Sequence, residues 1–251
     1  MNIAIITGAS SGLGTEYYKV IQDEVLDEVW IIARREGALN EISQKYGKIK
    51  TRVIPLDLTV DESHEKLLNI LKEEKPSIKY LFNNAGFGAY GKLDEIDLSK
   101  QTNMIDLNVK ALTKITYYAL GYMQEGAKII NTASIVAFAP IPNMAVYSAT
   151  KKYVMSFSRA LRHELRKRKI NVTAVCPGAM ATEFFTVAGV DSDKKSLINR
   201  MPFCNTAKVA KNGFKAAKRG RAVYTPRLLY KFLRLVGKVV PHSILIKFVS
   251  A

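Results

Sequence analysis

Through roughly the first 180 residues, short runs of β-branched and aliphatic residues alternate with longer segments whose apolar positions recur every three or four residues. That alternation constrains the fold more than any other feature. A run such as Ile3-Ala4-Ile5-Ile6 is apolar at every position, so a strand made from it needs cover on both faces, as parallel strands have. The strands predicted in this way are Ile3–Ile6, Val29–Ala33, Lys50–Pro55, Tyr80–Asn83, Ala127–Ala133 and Asn171–Cys176, with a seventh at Ala222–Thr225. The clearest helix between them is Val146–Lys167. Strands alternating with helices predict a doubly wound α/β domain: a parallel sheet of about seven strands with helices on both faces. No internal repeat or long Pro/Gly/Ser linker divides the chain, so residues 1–251 are read as one domain. Within it, 183–205 reads as an irregular substrate loop and 226–251 as a separate tail.

The turn after the first strand reads Thr7-Gly8-Ala9-Ser10-Ser11-Gly12-Leu13-Gly14. Glycines between a first strand and a first helix let the backbone approach an anion, and the helix N-terminus offers free N–H groups to a pyrophosphate. This is the arrangement of a Rossmann-type dinucleotide site. The end of the second strand then selects the cofactor. A carboxylate there would accept from ribose hydroxyls, whereas this chain has Arg34-Arg35, 20 residues beyond Gly14. Two guanidiniums suit a 2′-phosphate, so NADP(H) is expected over NAD(H).

Tyr147-Ser148-Ala149-Thr150-Lys151 places a phenol and an ammonium at i and i+4, on one helical face. A nearby ammonium favours the phenolate and draws the phenol toward the working pH, which proton transfer to a carbonyl oxygen requires.

Together these motifs resemble the short-chain dehydrogenase/reductase family over nearly the whole chain. The family's TGxxxGxG is Thr7 to Gly14, its NNAG is Asn83-Asn84-Ala85-Gly86, and its helical asparagine matches Asn108. Its serine matches Ser134, 13 residues before Tyr147. Its PG motif is Pro177-Gly178, with Thr182 four residues on, and the aspartate after the third strand is Asp57, followed by Leu58.

The resemblance implies roles. Tyr147 would be the general acid in reduction and the base in oxidation. Lys151 would lower its pKa and bind the nicotinamide ribose. Ser134 would hydrogen-bond the substrate oxygen, and Asn108 would hold a water in a proton relay. Gly8, Ser10, Ser11, Gly12, Leu13 and Gly14 would cradle the pyrophosphate. Arg34 and Arg35 would take the 2′-phosphate, and Asp57 the adenine. Asn84 would lie on the adenosine side and Thr182 on the nicotinamide carboxamide or the phosphates, with Leu58, Gly86, Pro177 and Gly178 also binding the cofactor. Asn83 is expected only to brace a strand end. No metal is expected. The helix of Tyr147 often builds subunit interfaces in this family, so a homodimer or homotetramer is expected.

Phe87, Tyr90, Ile135, Val136, Phe138, Ile141, Met144, Phe184, Phe185, Met201 and Phe203 are candidates to line an apolar substrate pocket. The expected substrate is a lipophilic ketone or secondary alcohol, such as a steroid, an acyl derivative or a xenobiotic carbonyl. The alternative reading is an NADP(H)-binding regulatory or membrane-peripheral protein with little turnover.

Composition excludes other classes. Hydrophobic residues make up 48% and charged residues 24%, unlike a disordered chain. Cys176 and Cys204 form no CxxC pair, which argues against a zinc site or disulfide framework. The start lacks a signal-peptide pattern and no run spans a bilayer, so the expected location is cytoplasmic. The net charge of +16 is uneven. Fourteen of the 38 basic residues lie from Lys194 onward, where no acid occurs, leaving 24 basic against 22 acidic residues up to Asp193. The basic stretch Arg227–Val240 predicts an amphipathic helix. Its apolar arc is Leu228, Leu229, Phe232, Leu233, Leu235, Val236, Val239 and Val240, opposite Arg227, Lys231, Arg234 and Lys238. Beyond Pro241, Ile244-Leu245-Ile246 and Phe248-Val249 add apolar surface. The helix could cover the protein's own substrate site, form a subunit interface or rest on an anionic membrane. Specific nucleic-acid binding is not expected, because charge without a recognition motif gives only non-specific binding.

Overall fold

The computed structural model describes residues 1–189, 202–241 and 243–246, except for the side chains of 185–187. Seven strands form one wholly parallel sheet in the order β3-β2-β1-β4-β5-β6-β7. They are β1 (Asn2–Thr7), β2 (Glu28–Ala33), β3 (Thr51–Pro55), β4 (Ser77–Asn83), β5 (Lys128–Thr132), β6 (Asn171–Val175) and β7 (Val223–Tyr224). All seven predicted strands are present, with no end moved by more than three residues.

Alternate residues of each strand serve opposite faces. Ile3 and Ile5 of β1 and Trp30 and Ile32 of β2 face α3 (Asp61–Glu74), α5 (Leu112–Leu120) and α6 (Ala145–Glu164). Ala4, Ile6, Val29 and Ile31 face α1 (Gly12–Ile21), α2 (Glu36–Tyr46) and α8 (Thr206–Lys218). Burial of each large aliphatic side chain contributes about 1.5–3 kcal/mol before conformational entropy is set against it. That two-sided cover is why the strands read as unbroken apolar runs.

The sheet reverses direction of growth between β1 and β4. In doubly wound sheets a crevice opens there, beyond the carboxyl ends of the strands. Three further helices lie around it: α4 (Leu98–Ile105), α7 (Glu183–Ala188) and α9 (Leu228–Val239). The helix predicted as Val146–Lys167 runs Ala145–Glu164 and ends in turns that lead into β6. Part of the predicted substrate loop is helical, as α7. Met201, Phe248 and Val249 lie outside the described residues, as does the side chain of Phe185.

Candidate active site

A cavity of about 660 Å³ follows the carboxyl ends of β1 to β6. Every residue assigned from the sequence to catalysis or cofactor binding lines it, except Gly14 and Asn108. Gly14 lies beneath the turn, where an added Cβ would stand 2.0 Å from the Gly8 carbonyl oxygen. Gly8 and Gly12 hold φ of +66° and +54°, the left-handed region that glycine occupies without steric cost. Ser11 stands at the N-cap of α1, but its side chain caps none of the first helical amides, which leaves them open beside the cavity that Ser11, Gly12 and Leu13 line. Thr182 closes the turn from the far side, 3.3 Å from where a Gly12 Cβ would be.

Thr7 ties this turn to the next strand. Its hydroxyl donates to the Phe82 carbonyl and accepts from the amides of Asn84 and Ala85 at 3.0 Å. The Asn84 amide in turn donates to the carbonyls of Thr7 and Gly8 at 3.2 Å. Asn83 is buried, and its amide bridges Thr116 and Asn131 at 2.9 Å, so it braces β4 against α5 and β5.

The two arginines differ. Arg34 is largely exposed, with its guanidinium 3.8 Å from Asp57, whose carboxylate is held by Thr59. Arg35 reaches across the cleft to Glu183 at 2.7 Å and touches Ser10 at 3.4 Å. Its hydrogen bond, and then its positive charge, hold the Glu183 carboxyl below the usual carboxylate range. Sequence reading gives Glu183 no role, because its partner lies 148 positions away.

At the other end, α6 brings Tyr147 and Lys151 to one buried face. Ser134, two residues beyond β5, lies near enough to the Tyr147 phenol to lower its pKa, and its hydroxyl caps a short 3₁₀ turn (Ile135–Ala137) by accepting from the Val136 amide. Burial pushes the phenol up to about 12, and the Ser134 hydroxyl opposes it. Burial also pushes the Lys151 ammonium down to about 8. Desolvation thus dominates both groups. The lysine lies 5.8 Å from the Tyr147 ring centroid, and its Nζ donates to the Thr132 carbonyl at 2.9 Å.

Asn108 sits on a π-helical turn (Asp106–Ala111) between α4 and α5, an irregularity frequent at functional sites. Its amide donates to the Phe87 carbonyl and to Thr150, and its oxygen accepts from the Phe87 amide. Gly86 fits between Asn108 and Lys151. A Cβ there would stand 2.7 Å from the Asn108 oxygen and 3.3 Å from the lysine nitrogen.

Ile135, Val136, Ile141, Met144, Met180 and Phe184 make the substrate end apolar. The Phe184 ring lies 5.4 Å from that of Tyr147. Of the other predicted lining residues, Phe87 faces the cavity, Tyr90 packs against the same cluster, and Phe138 is buried behind it. Phe203 is half exposed and outside the lining. The described residues contain no group of His, Cys, Asp or Glu that could hold a metal ion.

Residues 2–192 match the sequence profile of the short chain dehydrogenases. The chain belongs to the short-chain dehydrogenase family. Membership makes it an oxidoreductase. It is 31% identical over 182 residues to an uncharacterized oxidoreductase of Staphylococcus epidermidis, covering 72% of this chain and 78% of that one. It is 32% identical over 191 residues to sulfoacetaldehyde reductase 2 of Chromohalobacter salexigens, covering 74% and 75%. Among solved structures, a short-chain dehydrogenase from Sphingobium yanoikuyae in complex with NADPH superposes with a TM-score of 0.79. That pair is 27% identical over 95% of this chain and 93% of the other.

Proposed function

We propose that this short-chain dehydrogenase interconverts a lipophilic ketone and a secondary alcohol with NADP(H). One observation carries the reading: a single cavity joins a glycine cradle flanked by two arginines to a buried phenol paired with a serine hydroxyl. The cradle fits a dinucleotide, because side chains are excluded from Gly8 and Gly14 and the helix N–H groups are left free. A nicotinamide dinucleotide bound there supplies or accepts the hydride. The 27%-identical neighbour with NADPH supports the phosphorylated form.

The chain's own residues do the rest. Ser134 and Tyr147 line the same end of the cavity, and their two hydroxyls give a substrate oxygen donors as charge develops on it. A phenol raised to about 12 holds its proton at neutral pH, and so serves as the acid in reduction. Lys151 has one ammonium hydrogen on Thr132 and two left for a ribose and a relay. The Asn108 oxygen keeps one lone pair beyond its bond to Phe87, enough to hold the water of that relay. The apolar walls exclude bulk water and select an apolar substrate.

Arg34 and Arg35 together supply the 2′-phosphate site. Titration of the purified protein with NADPH and NADH, followed by nicotinamide fluorescence, tests this part. NADPH should bind at least about tenfold tighter, and Arg34→Ala or Arg35→Ala should each remove about 1.5–3 kcal/mol of NADPH affinity while leaving NADH unchanged. Equal affinities for the two cofactors would remove the phosphate assignment.

A further inference from the structure

One face of α9 is uncovered. Leu228, Phe232, Leu235 and Val239 are 81, 61, 60 and 76% exposed. Their spacing of four, three and four residues lines them up as one stripe along the helix. Leu229, 45% exposed, widens it. Lys231 and Lys238 are exposed along one edge of the stripe.

The opposite face is already occupied. Tyr230 is fully buried against Gly178, where an added Cβ would meet its ring at 2.3 Å, and its hydroxyl donates to the Pro202 carbonyl at 2.6 Å. Gly237 rests on the Phe138 backbone, and the Arg234 guanidinium lies 6.0 Å from the Phe138 ring. Arg227 donates to the Phe203 carbonyl. The helix is therefore anchored by its Tyr230 side, which leaves the centre of the apolar arc outward.

We propose that this face docks on the anionic phospholipid surface of a membrane, with α9 lying in the interfacial plane. Apolar insertion and cationic attraction together make a stable interfacial helix, and α9 presents both on one side. At 12 residues it is about 18 Å long, too short to cross a hydrocarbon core of about 30 Å. Charge decides against a second copy of the chain. The 58 residues after Asp193 hold fourteen Lys and Arg and no Asp or Glu. Two-fold pairing of the stripe would bring the lysine rims of both copies together with no carboxylate from the helices to pair them. Nucleic acid would satisfy the bases but leave the stripe in water. Because α9 rests on the 138 and 178 loops, a bilayer on its outer face lies beside the substrate end of the cavity. That last consequence rests on the proposed function; docking itself does not.

The test is sedimentation of the full chain with vesicles of phosphatidylcholine alone and of phosphatidylcholine with one third phosphatidylglycerol. The protein should sediment with the anionic vesicles only, and less as salt rises. Phe232→Ser with Leu235→Ser should weaken partitioning at least tenfold, and Lys231→Gln with Lys238→Gln roughly fivefold per charge. Val25→Ser, at a residue 97% exposed in the loop before β2, should change nothing. All the altered side chains are exposed, and thermal melting checks that the variants fold. Failure of the wild type to sediment overturns the proposal. So does a serine pair that sediments like the wild type, or one that instead dissociates an oligomer in light scattering. Sedimentation needs no turnover, so a catalytically inert protein that still sediments would separate this proposal from the functional one.

Discussion

The two ends of the cavity are built differently. The cofactor end comes from contiguous turns at strand ends. Its contacts run through main-chain groups, and its tolerances are set by glycines with backbone 2.0–3.0 Å from a would-be Cβ, as at Gly8 and Gly14, or by short polar side chains on backbone carbonyls. The substrate end is assembled from the 134–144 loop, α6, α7 and the support of α9, and is walled by aliphatic and aromatic side chains. A phosphate is recognised by fixed dipoles, which leave little freedom of sequence; an apolar ligand is recognised by shape, which many side-chain sets can supply. Mutations at the first end should therefore act as switches, and those at the second as adjustments.

The largest effect belongs to Gly14→Ala. The Gly8 carbonyl cannot yield without breaking the turn, so NADPH binding should be lost and stability should fall by about 3 kcal/mol or more, read as a lowered Tm. An alanine variant that binds NADPH normally would show that the turn adapts, and the contrast between the ends would break.

Lys151→Met should sharpen the contrast by separating stability from function. Burial holds the lysine at about 8, below its ordinary 10.5, so the folded state carries a charged-form penalty at neutral pH. The unfolded state binds more protons between these values, so the penalty is present below about 8 and relieved as pH rises through that window. Removing the ammonium should raise stability at pH 7 by about 1–3 kcal/mol while abolishing turnover. A destabilised variant would show that the Thr132 hydrogen bond outweighs desolvation.

The same lysine sets the pH profile. In the direction of carbonyl reduction, kcat/KM for NADPH should be flat below about 7 and fall roughly tenfold per unit above about 8, as Lys151 loses its proton with Tyr147 still protonated. A fall that persists in a Lys151→Arg variant with residual activity would assign it to another group.

Phe184→Ala should have the smallest effect. Opening the space beside the Tyr147 ring should change KM for a bulky ketone several-fold while leaving NADPH affinity within about twofold. Equal losses in both would mean that α7 serves the cofactor end as well, through the Arg35–Glu183 pair.

Sequence reading reaches these two ends unequally, for the same physical reasons. The seven strands, the glycine turn, and the Tyr147–Lys151 pair are encoded within a few consecutive residues each, so their spacing is visible. The Arg35–Glu183 bridge is not, because it depends on how α7 crosses the cleft. The π-helical turn around Asn108 is also hidden, since the Asn108 bonds that accompany it go to Phe87 and Thr150, 21 and 42 positions away. In α9, helical periodicity marks Leu228, Phe232 and Val239 as an apolar face but gives no sign that Tyr230 is the anchor. The bare backbone of Gly178 accepts that ring, and no residue near Tyr230 in the chain reports it.

In the proposed reaction Tyr147 gives the proton while the rest of the cavity binds and orients. The most direct measurement compares wild type and Tyr147→Phe in NADPH oxidation with a panel running from an aryl methyl ketone to a 3-keto steroid, with NADPH affinity measured in parallel. The wild type should accept a ketone of the panel, and the variant should lose at least about a thousandfold in kcat with NADPH affinity unchanged within about twofold. A phenylalanine variant that keeps its turnover within a few-fold of wild type would contradict that role for Tyr147.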